Sequence, residues 1–236
     1  MLLAAPLASQ AGDWEYSVTP YLWLPTISMD SPNFNGTGGG LDVGPTNYLQ
    51  ALDFGLMLDA DARNGEWVIL GDLIYLDFGI KSDDITPGPI FNPTSKIDLS
   101  ASILNLAGGK TLVKSDDYYM DTVIGWRRTH LDLDTKVNGN ILPSFSPSLT
   151  FNDFIVGVNG EYDFPDSKWS VPYYADIGTG DSDLTWQAVI GVDYAFDSWK
   201  LHMNYRHLDY DFGDVGIIQD LQTTFSGPTI GAKFEF

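Results

Sequence analysis

The sequence predicts an all-β protein, a ten-stranded antiparallel up-and-down transmembrane β-barrel. Apolar and polar residues alternate with a period of two from Asp13 onward, which indicates strands rather than helices. Ten such segments occur, and bacterial outer-membrane barrels have an even number of strands. Short and long links alternate between the segments, as expected when tight turns lie at one end of a barrel and long loops at the other. Barrels of eight or twelve strands are the alternatives.

The ten predicted strands are longer than the strands of about 5–6 residues in soluble proteins, and they suit a tilted membrane crossing. Turn signals follow the second, fourth, sixth and eighth of them: Asn-Gly, Lys-Ser-Asp-Asp, Pro-Asp-Ser and Asp-Ser. The links after the other strands are mostly longer and include the Gly-rich and Asn-rich stretch 25–47. The predicted strands cover 13–24, 48–60, 66–79, 96–113, 118–134, 149–164, 168–178, 184–196, 199–212 and 222–236.

The faces of the clearest strands differ enough to indicate which one meets lipid. One face of the eighth strand has aromatic residues at both ends and aliphatic residues between them, which is typical of a lipid-facing band with interfacial girdles. The sixth and ninth strands separate apolar from charged residues in the same way. This separation matters because an Arg or Lys at the bilayer centre costs about 2–4 kcal/mol. The lipid-facing girdle is predicted to contain Trp186, Tyr194, Phe196, Trp199, Phe234 and Phe236.

Two predicted strands are less regular, and their registers stay open. The strand 66–79 has apolar residues on both faces, with Asp72 and Asp77 of opposite parity. A β-bulge would repair its pattern. The strand 96–113 loses its alternation around Leu104 to Leu106.

Composition and charge exclude several classes of protein. With 44% hydrophobic and 19% charged residues, the chain is not a disordered one. Its 32 acidic and 12 basic residues give a net charge of −20, which disfavours binding to a phosphate backbone, so no nucleic-acid partner is expected. Because 28 of the acidic residues are Asp, we expect most of the acidity in turns and at strand ends. The absence of cysteine excludes a disulfide framework and a thiol nucleophile.

The N-terminal residues 1–11 are small and apolar, and Ser9-Gln10-Ala11 matches a signal-peptidase site. A basic n-region does not precede them, so we predict a truncated signal peptide over 1–11 and a barrel domain over 12–236. No run of about 20 apolar residues occurs, which excludes a helical membrane protein.

Several stretches resemble a family of uncharacterised proteobacterial outer-membrane β-barrel proteins, small barrels of the opacity or porin-like kind. They include "WEYSVTPYLWLPTIS", "GEWVILGDLIYLDFG", "DIGTGDSDLTWQAVIGVDYAFDSW" and the final "SGPTIGAKFEF". The resemblance implies a compartment and a fold but no activity. The last aromatic residue, Phe236, is similar to the signal that the barrel-assembly machinery recognises, and this implies that machinery as a partner during biogenesis.

Charged residues on the inner faces are predicted to form a network that fills the lumen. About eight strands enclose a space just filled by side chains, and 16–18 leave an aqueous channel, so ten leave a narrow lumen. Opposite charges in such a space are expected to pair. The predicted network consists of Arg127, Lys200, His202, Arg206, Lys233, Asp53, Asp153, Asp176, Asp193 and Glu235.

Acidic pairs near the long-loop end are weak candidates for binding divalent cations, since carboxylate oxygens suit Ca²⁺ and Mg²⁺. Solvated strand ends are the alternative, because such ions need about six or more converging oxygens. The candidates are Asp132, Asp134, Asp181, Asp183, Asp209 and Asp211.

The predicted function is that of an integral outer-membrane barrel with a structural or surface-interacting role and a largely plugged lumen. A narrow porin-like channel for small polar solutes is the first alternative, and a soluble periplasmic ligand-binding barrel is the second. We expect the Gram-negative outer membrane as location, with periplasmic termini. Outer-membrane lipids and lipopolysaccharide are the expected partners, with divalent cations at the outer rim.

No cofactor and no enzyme activity are predicted. The alternative is a rim hydrolase of the omptin type, a ten-stranded family that uses Asp and His at the outer rim. His207 and Asp209 lie two residues apart near a strand end, but their parity points them toward lipid. Acyl hydrolysis would need a serine close to a histidine base, and no His-x-Ser spacing occurs.

Overall fold

The computed structural model describes residues 14–31, 39–81, 95–137, 148–213 and 220–236. The predicted signal peptide over 1–11 lies outside these ranges. The described residues form twelve strands and one short helix, α1 (Pro45–Tyr48). The strands are β1 (Glu15–Trp23), β2 (Thr26–Ser31), β3 (Gly39–Val43), β4 (Leu52–Asn64), β5 (Trp67–Lys81), β6 (Ser95–Lys114), β7 (Tyr118–Val137), β8 (Ser148–Asp163), β9 (Trp169–Gly180), β10 (Leu184–Ala195), β11 (Lys200–Asp211) and β12 (Gln222–Glu235).

Ten of the strands close into one antiparallel barrel, which confirms the predicted fold. From β4 to β12 each strand pairs with the next in the chain, and β1 closes the ring between β4 and β12. At the end of the closing ladder, the backbones of Tyr16 and Phe236 exchange two hydrogen bonds of 3.2 and 2.9 Å. The ten segments of alternating polarity therefore correspond to ten barrel strands.

The two ends of the barrel differ, as the link lengths predicted. At the short-turn end lie residues 14 and 236 and the tight turns after β4, β6, β8 and β10. At the long-loop end lie the links after β5, β7 and β11, which fall partly or wholly outside the described residues. The link 181–183 between β9 and β10 also lies there and is a tight turn, although a longer link was expected.

A hairpin that the sequence did not predict extends the wall at the long-loop end. The prediction of a plain connection over 25–47 was wrong, because β2 continues β1 and pairs with β12 while β3 pairs with β2. Gly39 and Gly40 open β3, and glycine is a poor strand former, so propensity gave no signal there. Beyond the hairpin, the hydroxyl of Tyr48 in α1 donates a 2.9 Å hydrogen bond to the Pro25 carbonyl.

Lumen-facing polar residues lengthen β4 beyond its predicted end at residue 60. Asp61 and Arg63 continue the inner face of the strand, and the turn is the residue pair Gly65-Glu66. Gly65 has a φ of 56°, a conformation that a two-residue hairpin turn requires and that glycine adopts without strain.

Of the two irregular strands, β5 keeps its alternation throughout and β6 keeps it as far as Thr111. Pairing of β5 with β6 is continuous over the whole of Trp67–Lys81, so the bulge inferred for β5 does not exist. Register shifts lie instead between Leu52 and Phe54 of β4, and between Thr111 and Val113 of β6. Both faces of β5 are apolar in part because its inner face packs against other side chains in the lumen.

The outer surface of the barrel is an apolar band. On β8 the band extends from Tyr162 to Phe154, which is roughly 26 Å along a strand at about 3.3 Å per residue. Phe154 is 74% exposed, Ile124 66% and Ile190 62%. Transmembrane barrels carry an outward apolar band about 25 Å tall. Such a surface argues against the soluble-barrel alternative, because a water-soluble monomer rarely exposes so large an apolar patch.

Aromatic residues border this band. At the short-turn end, the Phe196 ring lies 5.0 Å from the Tyr194 ring and 4.5 Å from the Trp199 ring between centroids. The structure places the predicted girdle residues on the outer surface in two groups: Tyr194, Phe196, Trp199, Phe234 and Phe236 at the short-turn end, and Trp186 toward the long-loop end.

The buried side chains of the barrel lie inside the lumen. They come from the residues of each strand that alternate with the exposed apolar ones, such as Asp153 and Ile155 between the outward residues of β8. Within the described part of the chain, no helix combines the length and apolar character that a bilayer span requires.

Candidate functional site

An apolar layer fills the lumen toward the long-loop end. We call it the apolar plug. Its side chains come from β1, β4, β5, β6, β11 and β12, and from Phe212 just after β11. On the other side of the lumen, the hydroxyl of Thr129 on β7 lies 2.6 Å from that of Tyr210. The plug therefore reaches from one side of the barrel to the other. Its buried members are Trp23, Met57, Ile74, Ile103, Leu208 and Tyr210, and Tyr21, Leu76, Phe212 and Phe225 pack against them.

Arg127 forms the first of two guanidinium centres beneath the plug. The side chain is fully buried, and its Nε donates to Asn105 Oδ1 at 2.7 Å. Its Nη1 donates to Thr185 Oγ1 at 2.9 Å, and its Nη2 donates to Asp176 Oδ2 at 2.6 Å. The Arg127–Asp176 pair has no exposed side-chain surface on either partner, so each charge depends on the other.

Arg206 forms the second centre. Its Nη2 lies 2.8 Å from Asp72 Oδ1, and its Nη1 donates to the Tyr21 hydroxyl at 2.9 Å. Its Nε donates to Gln187 Oε1 at 3.0 Å. Asn105 joins the two centres, because its Nδ2 donates to Asp72 Oδ1 at 2.9 Å while its Oδ1 accepts from Arg127. A continuous hydrogen-bonded layer therefore spans the lumen.

A third pair lies closer to the short-turn end. The fully buried Asp121 accepts hydrogen bonds from Arg63 Nη2 at 2.8 Å, Thr111 Oγ1 at 2.8 Å and Asn159 Nδ2 at 3.0 Å. The Arg63 guanidinium also lies 4.0 Å from the centroid of the Tyr119 ring, a cation–π contact. The Arg63–Asp121 pair therefore links β4 to β7 inside the barrel.

A cavity of about 150 Å³ lies between these centres and the short-turn end. That volume is large enough to hold several water molecules. Side-chain exposure rises in this direction, from 0% for Arg127 to 22% for Lys200 and 52% for Glu235. Water therefore enters the lumen from the short-turn end. The ionisable side chains that line the cavity include Asp59, Asp61, Glu161, His202 and Lys233.

A lysine pair joins the carboxylates at the mouth of the cavity. Lys200 Nζ lies 3.0 Å from Glu235 Oε1 and 3.4 Å from Glu161 Oε1. Lys233 Nζ lies 3.8 Å from Glu235 and 3.9 Å from both Glu161 and Asp61. The structure thus places three of the predicted network residues at this mouth.

The remaining predicted network residues are His202, Asp193, Asp153 and Asp53. His202, which lines the cavity, has its Nδ1 2.7 Å from Asp193 Oδ1. Asp153 accepts hydrogen bonds from the backbone and hydroxyl of Ser182 at 2.9 and 2.8 Å, so it holds the turn between β9 and β10. Asp53 is not brought into the network: it is exposed at the register shift of β4 and lies against Gly79, on which a Cβ would collide with its carboxylate.

Sequence reasoning missed several components of the lumen. Asp72, Asn105 and Gln187 bind the arginines, and Asp72 was left open because its strand is apolar on both faces. That same feature was the available signal for the plug, since a strand with two apolar faces in a transmembrane barrel must pack one of them inside. The lumen is therefore apolar at one end, whereas only polar contents were expected there.

The candidate cation ligands at the long-loop end bind neighbours separately. Asp181 Oδ2 accepts from the backbone and side-chain nitrogens of Asn152 at 2.8 and 3.0 Å. Among the described residues, no three or more His, Asp or Glu are placed to hold a metal ion. The side chain of Asp134 lies outside the described part. The other contacts are His130 with Asp132 at 2.8 Å, Thr224 with Asp209 at 2.5 Å, Gly213 with Asp211 at 3.1 Å, and the backbone of Asp183 with that of Asp211 at 2.9 Å.

The two residues of the rim-hydrolase alternative lie on the outer surface. His207 Nδ1 contacts the Ser226 hydroxyl, and its ring lies 4.4 Å from the Trp186 ring. Asp209 instead bonds to Thr224. The two residues therefore each bind β12, and neither faces the lumen.

Hydrogen bonding and burial shift three pKa values outside the membrane-crossing strands. Hydrogen bonds from Asn152 lower the pKa of Asp181. A hydrogen bond from Lys110, whose Nζ is 2.9 Å away, lowers the pKa of Glu66. Burial raises the pKa of Tyr48 to about 12.

The closed barrel and its apolar exterior together define a transmembrane β-barrel of the outer-membrane type. Among solved structures, the outer-membrane protease OmpT of Escherichia coli has the same fold, with a TM-score of 0.51 and 10% identity over 98% of this chain and 99% of its own. At that identity the likeness shows the fold alone.

Two further solved structures match with lower scores. Ail, the attachment invasion locus protein of Yersinia pestis, has a TM-score of 0.41 and 10% identity over 95% of this chain and 99% of its own. The outer-membrane protein AlkL has a TM-score of 0.39 and 16% identity over 100% and 97%. No protein-family model and no curated protein matches the chain. The particular family suggested by the sequence motifs therefore stays a prediction.

Proposed function

We propose that the protein is an integral outer-membrane barrel with a closed lumen, which serves as a membrane-embedded scaffold for the surface at its long-loop end. In this proposal the short turns and both termini are periplasmic and the long loops face the exterior, as in other outer-membrane barrels. Its partners are outer-membrane lipids and lipopolysaccharide, and the barrel-assembly machinery during biogenesis. It has no catalytic role, and hydrolysis of peptide or lipid A by refolded protein would contradict that part.

The apolar plug carries the proposal. A hydrated ion that moves along the barrel axis must pass this layer, and apolar constrictions exclude water and ions by dewetting. Beneath the plug, Arg127 and Arg206 have their donors directed to protein acceptors, so neither offers a free charge to a passing anion. In this proposal the cavity is open to solvent at the short-turn end and closed by the apolar plug at its other end.

Planar-bilayer recording of refolded protein tests the closed lumen. We expect no discrete openings, while heat-modifiable migration in SDS gels shows that the same sample is folded. Discrete openings of wild-type protein would contradict the closed lumen and favour a narrow channel.

A narrow passage for small polar solutes is the second candidate, and the cavity is the observation that favours it. The cavity extends from the short-turn end into the lumen, so the plug is the barrier that remains. Recording from Tyr210→Ala separates the two candidates, because this change removes a ring from the plug but leaves Arg127 and Arg206 intact. Openings in this variant alone support a closed wild-type barrel, and openings of equal size in both proteins support a channel.

A further inference from the structure

We propose that Arg128, on the outer wall of the barrel, binds the phosphate group of an anionic lipid headgroup. Arg128 follows the buried Arg127 on β7, and the alternation of the strand turns it outward, where it is exposed. The two adjacent arginines thus have opposite surroundings, one within the lumen and one facing the membrane.

Arg128 lies where the apolar band ends. On β7 the outward residues nearer the short-turn end are Tyr118, Met120, Thr122, Ile124 and Trp126, all apolar or aromatic except Thr122, and Trp126 pairs with Phe154 of β8. The next outward pair is Arg128 with Asn152, and the pair beyond it is His130 with Thr150. The outward side chains therefore change from aromatic to polar between one residue pair and the next. Such a change is expected where the wall reaches the headgroup level of a membrane.

The guanidinium of Arg128 has no partner among the residues that the structure describes. Within the described part of the chain, Arg128 makes no hydrogen bond, ion pair or ring contact. The outward lysine near the short-turn end differs: Lys110 lies 2.9 Å from Glu66 and 5.5 Å from the Trp67 ring centroid. Lys110 is therefore paired within the protein, whereas Arg128 is available to an external anion.

The neighbouring carboxylates are already engaged. The Asp132 carboxylate is held by His130 at 2.8 Å, and that of Asp181 is held by Asn152. Neither lies within ion-pair distance of Arg128. A guanidinium presents paired N–H groups that match two phosphate oxygens, and such charge-assisted bonds are about twice as strong as neutral ones. Phosphate in a headgroup fits this position best, because Trp126 and Phe154 beside it offer contact to an acyl chain.

Native mass spectrometry of the refolded barrel in detergent micelles tests the site. The probes are lipid A, dephosphorylated lipid A and phosphatidylglycerol, added separately to wild type, R128Q, R128K and K110Q. We expect R128Q to retain a phosphorylated lipid roughly ten-fold less than wild type, because it loses the charge-assisted hydrogen bonds to phosphate. R128K should retain an intermediate amount, and K110Q should match wild type.

The pattern of retention identifies the source of the phosphate. Loss with lipid A alone assigns the site to lipopolysaccharide, and loss with phosphatidylglycerol as well assigns it to phosphate of either lipid. Equal retention of every lipid by wild type and R128Q would overturn the proposal, as would equal losses in R128Q and K110Q. The inference rests on the proposed placement in the membrane but not on the closed lumen, which conductance tests separately.

Discussion

Replacing Arg127 with methionine should destabilise the barrel strongly, while the same change at Arg128 should not. Methionine keeps much of the side-chain length, but it removes the three donated hydrogen bonds to Asn105, Thr185 and Asp176. The Asp176 carboxylate has no exposed surface and would remain without its counter-charge.

Loss of one partner of a buried pair costs about 3–5 kcal/mol, because the other charge remains uncompensated in a medium of low polarity. We therefore expect R127M to lower the free energy of unfolding by about 3–5 kcal/mol. The double variant R127M/D176N has no orphaned charge and should recover about 2 kcal/mol of that loss. R128M, an exposed change one residue away, should stay within about 0.5 kcal/mol of wild type.

Urea titration in lipid-free detergent micelles, followed by tryptophan fluorescence and by heat-modifiable migration, measures these differences. Lipid is left out so that Arg128 is tested without a headgroup. The reasoning would be refuted if R127M lay within 1 kcal/mol of R128M, or if the double variant were no more stable than R127M.

Three further predictions concern single positions. Asp59→Asn should raise the free energy of unfolding by about 0.5–1 kcal/mol in urea titration, because Asp59 pairs across the strands with another carboxylate, Asp72; an unchanged or lower stability would contradict this. Met57→Ala should cost about 2–5 kcal/mol, since it empties part of the plug and removes the sulfur that accepts a buried backbone N–H; a loss below 1 kcal/mol in the same assay would show that the plug is loosely packed. Asp181 has a lowered pKa, so its hydrogen bonds stabilise the fold above its ordinary pKa, and that contribution is lost as the pH falls through the lowered value; NMR titration should show the pKa rising in Asn152→Ala, which removes the side-chain donor and keeps the backbone one, and an unmoved pKa would exclude the Asn152 side chain as a cause.

The outer wall was the part of the fold that could be predicted from sequence. Lipid accepts only apolar side chains at mid-depth, so the outward residues of strands such as β8 and β10 are apolar at every second position. This alternation predicts that the segment is a strand and which of its faces meets lipid. The lumen imposes no such rule, because either a salt bridge or a packed ring can fill it. Ile74 and Ile103 therefore occupy inner positions that were expected to be polar. Because of them, the alternation of apolar and polar residues in β5 and β6 is less regular.

The position of aspartate was predicted only in part. Most of the acidity was expected in turns and at strand ends, with Asp176 among the residues predicted to face the lumen, and Asp72 and Asp121 also lie within strands and face inward. A short carboxylate leaves room in a narrow lumen for the long side chain that pairs with it, as Asp176 does for Arg127. Which arginine each aspartate meets depends on the barrel's shear and radius, and pairwise strand patterns do not contain these quantities.

The ladder between β1 and β12 has a consequence for the order of folding. Neighbouring strands from β4 to β12 can associate as hairpins as soon as both are present. Val18, however, pairs with Phe234, more than 200 residues away. Closing so long a loop costs about 2 kcal/mol more in chain entropy than closing a hairpin of about 15 residues. The ring is therefore sealed last, and until then two bare strand edges can capture another chain. A cell that inserts this barrel must shield those edges until the last strand arrives.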